Sequence, residues 1–283
     1  MARLSSNNNT ATKERRTFFS SNPVMHRLDK VDEYSESNAA TYGGIAAKTV
    51  YFLLFSVVGI AAERILSQIL ATGQAFEISY KGFQTTLYMG ESIALLASVI
   101  LAIVFQLLAF FAKSTTPVTG ALYCVTQGYF ISFLLFKVLH GFEYLGLLAL
   151  AITMTIVMVM AILYATGIIR VTKKFRMVML TLFITVIAIS LLMLIGSFIP
   201  FTSELVAQIR NNFAISIGFS VIFIIIAALF LICDFSTIDH VVQNQLPKKY
   251  EWQAAFGLSF TVLWLYIKVL DLIITIFGNR NNS

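Results

Sequence analysis

The chain contains long apolar runs without any charged side chain, and these runs constrain its fold more than any other feature. Five of them are long enough to cross a bilayer as a helix: residues 92–112, 118–136, 145–167, 177–203 and 211–233. A helix needs about 20 apolar residues to cross the hydrocarbon, because each residue rises only about 1.5 Å. Lipid offers no partners for exposed backbone groups, so spanning segments are helices or closed barrels. We therefore predict an all-α membrane protein.

Two further apolar runs contain charged residues. Residues 49–70 include Glu63 and Arg64, and residues 252–277 include Lys268 and Asp271. We interpret both as spans, which gives a bundle of seven helices. Because adjacent residues on a helix point in different directions, Glu63 and Arg64 cannot share a face. We expect the first span to end near Ala62 and both charges to lie at the membrane interface.

The composition supports a membrane protein and excludes several other classes. Hydrophobic residues make up 58% of the chain and charged residues 12%, whereas soluble domains average about 45–50% and about 25%. Two cysteines in 283 residues exclude a disulfide-stabilised scaffold. The sequence has no phosphate-binding loop, zinc-binding helix or nucleophile elbow. We therefore predict no catalytic residue, cofactor, metal site or nucleic-acid partner.

Basic residues predict how the chain is oriented in the bilayer. With the N-terminus in the cytoplasm, 14 Lys and Arg residues fall on the inside and five on the outside, as expected if positive charges stay in the cytoplasm. We predict a multi-pass protein of the inner (plasma) membrane, with its C-terminus outside. Residues 1–47 would be a mobile, polar cytoplasmic leader and residues 48–279 the seven-helix domain. Alternatively, Phe18 and Phe19 beside Arg15 and Arg16 contact anionic headgroups.

Placing a charged side chain inside the hydrocarbon costs free energy, so a charged residue within a span is a candidate functional residue. Asp234 follows the sixth apolar run, and it either marks the end of that helix or forms part of a site. Lys268 and Asp271 are three residues apart, so they lie on one face of the last helix. They form either an internal pair or a site in which Lys268 reaches Asp234, locking the sixth helix to the seventh.

Two more polar residues are candidates for lining an ion pathway. Gln127 lies within the third span, where an amide either bridges helices or lines a pore. Asp239 lies five residues after Asp234, and we expect it nearer the cytoplasmic water. The predicted site is therefore a gate at Asp234, Lys268 and Asp271, with Gln127 and Asp239 as further pathway residues.

Several segments together resemble the Bax inhibitor-1 (YccA-like) family of integral membrane proteins, and its bacterial branch most closely. The matching segments are residues 21–24, 167–176, 234–235, 249–252, 254–258 and 264–266. The resemblance extends over roughly residues 20 to 275. It implies seven helices, with the last one central and wrapped by the other six.

The resemblance also implies a function. Members of the family are regarded as pH-sensitive calcium leak channels, in which an acid on the sixth helix and one on the seventh hold the closed state. Asp234 lies where the first acid belongs, but Lys268 stands at the second position. Gln127 stands where the family often has another acid. We therefore expect this chain to conduct calcium poorly or to gate differently, with Asp271 as the substitute acid.

The sequence thus predicts a cation leak channel or ion-homeostasis factor, with the lipid bilayer and cations such as calcium as its partners. The alternative, also implied by the resemblance, is a non-conducting inhibitor of a membrane-bound AAA protease.

Overall fold

In the computed structural model, residues 39–199, 202, 204, 208 and 212–281 are described. Within these residues the chain forms seven α-helices and one β-hairpin. The elements are α1 (Tyr42–Leu70), β1 (Ala75–Tyr80), β2 (Phe83–Tyr88), α2 (Met89–Phe111), α3 (Thr116–Phe133), α4 (Tyr144–Ala165), α5 (Lys173–Phe198), α6 (Phe213–Gln243) and α7 (Lys249–Asn281). A π-helical turn, Leu134–Val138, continues α3. All but the last nine residues of the predicted leader, 1–47, lie outside the described part.

The predicted all-α transmembrane fold is confirmed. Among the described residues, six helices are long and apolar enough to cross a membrane: α1, α2, α3 with its π-helical turn, α4, α6 and α7. The remaining helix, α5, is 26 residues long. Helix α1 begins at Tyr42 because the Thr41 hydroxyl accepts a hydrogen bond from the Gly44 backbone N–H at 3.0 Å, which satisfies an otherwise unpaired donor of the first turn.

Helix α7 lies at the centre of the bundle, as the resemblance implied. It packs against α1, α2, α3, α4 and α6. Its residues Phe256, Leu265 and Leu270 are completely buried. The ring of Phe256 makes edge-to-face contacts with Phe52 of α1, Phe110 of α2 and Tyr123 of α3. These contacts surround the last helix with side chains from three others.

Helices α1 and α3 approach each other so closely that their backbones touch. A Cβ atom on Gly128 would lie 1.9 Å from the Ser56 carbonyl oxygen, and one on Gly59 would lie 2.1 Å from the Val125 carbonyl oxygen. Only glycine fits such a contact. Small residues at helix crossings permit this close packing in membranes, and the crossing lies directly beside Gln127.

A β-hairpin connects α1 to α2, and the sequence analysis did not predict it. Lys81 and Gly82 form its two-residue turn, and both have positive φ, at 49° and 88°. Phe83 and Leu87 of β2 are buried. The turn rests on the end of α7, where a Cβ on Gly278 would lie 1.8 Å from the Lys81 carbonyl oxygen. We call this end of the bundle the hairpin end.

The opposite end contains the start of α1 and the turn between α6 and α7. We call it the leader end. Ala39 forms an isolated antiparallel bridge with Pro247, and the Ala40 N–H donates to the Leu246 carbonyl at 2.7 Å. The segment that precedes α1 is therefore attached to the α6–α7 turn. In the predicted orientation, the leader end faces the cytoplasm and the hairpin end faces outside.

Candidate functional site in the middle of the bundle

Lys268 lies near the middle of the central helix. It is nineteen residues, about 28 Å, beyond the start of α7 at Lys249. Its Nζ atom lies 4.9 Å from the centroid of the Phe223 ring on α6, and an ammonium is attracted to the face of an aromatic ring. Asp271 and Lys81 are the charged groups that interact with it electrostatically. Lys268 therefore places a partly buried cation at mid-bundle.

A cavity of about 270 Å³ lies beside Lys268, between α2, α3 and α7. Gln127 also lines it, so the structure brings two of the predicted pathway residues together. Further polar lining residues are Ser98, Gln106 and Thr126, and the apolar part of the wall includes Phe130 and Trp264. A cavity with this many polar groups is unusual between helices that are apolar enough to cross a membrane. The participation of Gln127 and Lys268 in ion passage stays a prediction.

The structure does not form the predicted lock between Lys268 and Asp234. Helix α6 does not end at Asp234 but continues for nine residues to Gln243, so the alternative in which Asp234 only marks the helix end is wrong. Asp234 lies nine residues from the α6–α7 turn and Lys268 nineteen residues from it. The two are therefore offset by ten residues, about 15 Å along the helices. That offset is too large for a lysine side chain to bridge.

Asp234 itself is completely buried in α6. Its neighbours Leu231 and Cys233 are also buried. Cys233 belongs to a second apolar cluster, formed where α6 meets α5 and Trp264 of α7. The resemblance implied an acid on the sixth helix, and Asp234 lies on α6, on the leader-end side of Lys268. Its part in a gate stays a prediction.

Asp271 attaches the hairpin to α7. Its carboxylate lies 2.6 Å from Lys81 Nζ and accepts a hydrogen bond from the Tyr80 hydroxyl at 2.9 Å. Lys81 also donates to the Thr275 hydroxyl at 2.8 Å. The spacing of three residues does bring Asp271 close enough to Lys268 for an electrostatic interaction. Its ion-pair partner, however, comes from the hairpin turn.

Asp239 joins three helices at the leader end. One of its carboxylate oxygens accepts a hydrogen bond from Tyr42 of α1 at 2.7 Å, and the other accepts one from Tyr164 of α4 at 2.5 Å. The expectation that Asp239 lines a pathway stays a prediction. The observed contacts give this carboxylate a structural role that the sequence analysis did not anticipate.

Glu63 is buried, and the expectation that it lies at the membrane interface is wrong. Helix α1 continues to Leu70, and the Glu63 carboxylate accepts a hydrogen bond from the Ser132 hydroxyl at 2.6 Å. Arg64 does point outward, and its guanidinium lies 4.4 Å from the centroid of the Phe136 ring. Ser56, Gly59, Glu63 and Ser67 recur every three or four residues on the buried face of α1. This repeat of small and polar residues at helical spacing was visible in the sequence, and it predicts that Glu63 faces the other helices rather than the membrane interface.

Glu91 is a second buried acid that the sequence analysis missed. It lies in the first turn of α2, is 4% exposed, and pairs with Lys137 Nζ at 2.6 Å. Its other oxygen accepts a hydrogen bond from the Tyr88 backbone N–H at 3.2 Å. The bond from the Tyr88 N–H is one half of a capping box, but the sequence pattern for that box needs Ser or Thr where this chain has Tyr88. The sequence therefore carried no signal for this contact.

These elements define a multi-pass α-helical membrane protein with a central last helix and polar groups buried along it. The family described as Bax inhibitor 1 like matches residues 22–278. The chain belongs to that family, so the resemblance found in the sequence is confirmed. No curated protein and no solved structure matches the chain.

Proposed function

We propose that this protein is an ion-homeostasis factor, a cation leak in which Lys268 restricts the passage of calcium. The observation that carries the proposal is the mid-bundle cavity, where Gln127 and Lys268 share a wall with three further polar residues. Family membership supports a role in the membrane. Intramembrane polar groups that face protein rather than lipid commonly mark ion pathways.

Electrostatics explains why such a leak would be weak for divalent ions. The positive charge of Lys268 acts at short range through a medium of low dielectric constant, where repulsion is strong. Asp271 is already paired with Lys81. Asp234 lies about 15 Å away along the helix axis. A calcium ion in the cavity would therefore meet a net positive charge.

The test is calcium uptake by liposomes that contain purified protein. We expect slow uptake by the wild type and an increase of about tenfold in Lys268→Gln, which corresponds to lowering the barrier by about 1.4 kcal/mol. Lys268→Glu should increase uptake further. Lys248→Gln is the matched control, because it removes a lysine beside the α6–α7 turn and should leave uptake unchanged. Equal uptake by the wild type and Lys268→Gln would show that Lys268 is not in the path.

The same liposomes test whether Asp234 contributes to pH dependence. If uptake by the wild type varies with pH, the Asp234→Asn variant should lose that variation because it has no titratable group at this position. Variation that persists in Asp234→Asn would assign the pH response to another residue.

The alternative function, inhibition of a membrane-bound AAA protease, makes a different prediction. Removing residues 1–38 leaves every described contact of α1 in place, so calcium uptake should be unchanged by this truncation if the protein is a leak. If no variant, including Lys268→Glu, carries calcium, the non-conducting regulator becomes the better explanation.

A further inference from the structure

A second and larger cavity lies at the hairpin end of the bundle. Its volume is about 710 Å³, and its wall is formed by the end of α1, the hairpin, the π-helical turn after α3 and the residues before α4. Sites for small ligands in proteins commonly have volumes of about 300–1,000 Å³. The charged residues of the wall are Arg64, Glu77, Lys137, His140 and Glu143. The cavity is therefore large enough for a small ligand, and both signs of charge line it.

Arg64 supplies the available positive charge of this wall. Its guanidinium lies 4.4 Å from the centroid of the Phe136 ring, which also lines the cavity, and the attraction to the ring holds the guanidinium in place. Among the described residues Arg64 forms no ion pair, whereas Lys137 is already paired with Glu91 at 2.6 Å. A guanidinium presents a planar set of N–H donors that matches a carboxylate or a phosphate. Arg64 is therefore a fixed anion-binding group that no acid of the described part occupies.

Glu143 supplies a negative charge in the same wall. The Gly141 backbone N–H donates to its carboxylate at 3.0 Å and lowers the pKa of that carboxyl, so the group is ionised at neutral pH. The exposed His140 ring lies 3.6 Å from it. Arg64 also acts on the Glu143 carboxyl electrostatically, but these two residues do not form an ion pair. A guanidinium and a carboxylate therefore line one cavity without meeting.

We propose that this cavity binds a zwitterion, a ligand that carries an ammonium and a phosphate or carboxylate on one short chain. The ammonium pairs with Glu143, and the anionic group pairs with Arg64. A ligand with an anionic group alone is repelled by Glu143 and Glu77, and a ligand with an ammonium alone is repelled by Arg64. A ligand with both charges complements the whole wall.

The position of the cavity favours a lipid headgroup as the source of this zwitterion. Helix α1 has 29 residues and is about 43 Å long, whereas the hydrocarbon is about 30 Å thick, so the helix reaches into the headgroup region. Arg64 and Gln68 line the cavity, and Ile65 and Ile69, next to them on α1, are 63% and 64% exposed. An ethanolamine phospholipid has an ammonium and a phosphate in its headgroup, and its acyl chains fit along the two isoleucines. A free amino acid carries the same two charges and is the other source.

The inference goes beyond the proposed leak and does not rest on it. Neither Arg64 nor Glu143 lines the Lys268 cavity. The Lys268→Gln variant should therefore bind the zwitterion as the wild type does, whatever its calcium uptake.

The experiment measures the thermal stability of the purified protein in detergent micelles that contain one phospholipid. Phosphatidylethanolamine should raise the Tm by roughly 3 to 5 °C over phosphatidylglycerol with the same acyl chains at equal mole fraction, because phosphatidylglycerol has the phosphate but no ammonium. Free O-phosphoethanolamine and glycine, added without lipid, identify the source. We expect a rise with the lipid alone, which indicates a headgroup. A rise with the free compounds also supports the proposal and indicates a soluble zwitterion.

Two substitutions separate the two charges of the wall. Arg64→Gln should abolish the response to phosphatidylethanolamine, because the phosphate loses its partner. Glu143→Gln should reduce the difference between the two lipids to less than about 1 °C, because the ammonium loses its partner and phosphatidylglycerol is repelled less. A merely structural role of these residues would lower the Tm without changing the preference between lipids. Arg170→Gln is the matched control, because it removes an exposed arginine between α4 and α5 and should keep the preference.

An equal Tm of the wild type in both lipids, together with no response to the free zwitterions, would overturn the proposal. So would a preference for phosphatidylethanolamine that persists in full in both Arg64→Gln and Glu143→Gln. The comparison of lipids on the wild type needs no variant, so it decides the question even if one substituted protein does not accumulate.

Discussion

The two ends of α7 are attached to the bundle in different ways. At the leader end, Glu251 is 1% exposed, pairs with Lys48 of α1, and accepts a hydrogen bond from the Thr41 N–H at 2.8 Å. At the hairpin end, the Asp271 and Lys81 side chains are 22% and 16% exposed. The two lysines are about equally exposed, because the Lys48 side chain is 20% exposed. The two ends therefore differ in the acid, which is buried at the leader end and reached by water at the hairpin end.

The difference shows which physical term stabilises each end. Desolvation makes an unpaired charge on the buried Glu251 carboxylate costly, so the leader end depends on the Lys48 ammonium that pairs with it. Water screens the Lys81–Asp271 ion pair at the hairpin end, so this pair contributes less to the stability of the fold than the pair at Glu251. The hairpin end depends instead on close packing, because the Lys81 carbonyl oxygen touches the backbone of α7 at Gly278.

The largest effect should come from breaking the leader end. Lys48→Met leaves the buried Glu251 carboxylate without its cation, and we expect it to destabilise the protein by about 3–5 kcal/mol. Unfolding with SDS in mixed micelles measures this loss. The double variant Lys48→Met/Glu251→Ala should recover part of it. A Lys48→Met protein that loses less than about 1 kcal/mol would contradict a buried carboxylate that depends on its cation.

An intermediate effect should come from adding one methyl group at the hairpin end. Gly278→Ala forces the hairpin turn away from α7, and overpacking of this kind costs about 1–3 kcal/mol. Gly218→Ala in α6 is the control, because a Cβ there meets nothing within 4 Å. The same unfolding assay should rank Gly278→Ala well below Gly218→Ala in stability. Equal stability would show that the turn does not rest on Gly278.

The smallest effect should come from removing the charge at the hairpin end. Asp271→Asn keeps the shape of the side chain and loses a screened ion pair, so we expect a loss of about 1 kcal/mol or less. The loss should shrink further in high salt, because salt screens exposed charges. The loss caused by Lys48→Met should not change with salt. A salt dependence of the same size at both ends would remove the distinction between them.

Much of the architecture could be predicted from the sequence. The uncharged runs gave the positions of the helices, because the hydrocarbon permits few other backbone forms. The polar residues Gln127 and Lys268 are exceptions within those apolar runs, and the structure places both in the wall of one cavity. Polar residues in such runs need protein neighbours, which is why the sequence alone could identify them.

The register between helices could not be predicted in the same way. Placing Lys268 opposite Asp234 required the position of the α6–α7 turn, and α6 continues through Asp234 to Gln243. A charged residue does not end a helix when protein surrounds it. The hairpin was missed because its turn, Lys81–Gly82, puts a lysine at positive φ, where asparagine or aspartate is the usual signal.

The attachment of Ala39 and Ala40 to the α6–α7 turn has a mechanical consequence. Tension applied to the chain before Ala39 is transmitted first to the turn between α6 and α7, and only afterwards to α1, the helix that follows it in the chain. A partner that binds the chain before Ala39 would therefore exert force on the α6–α7 turn, next to the central helix α7.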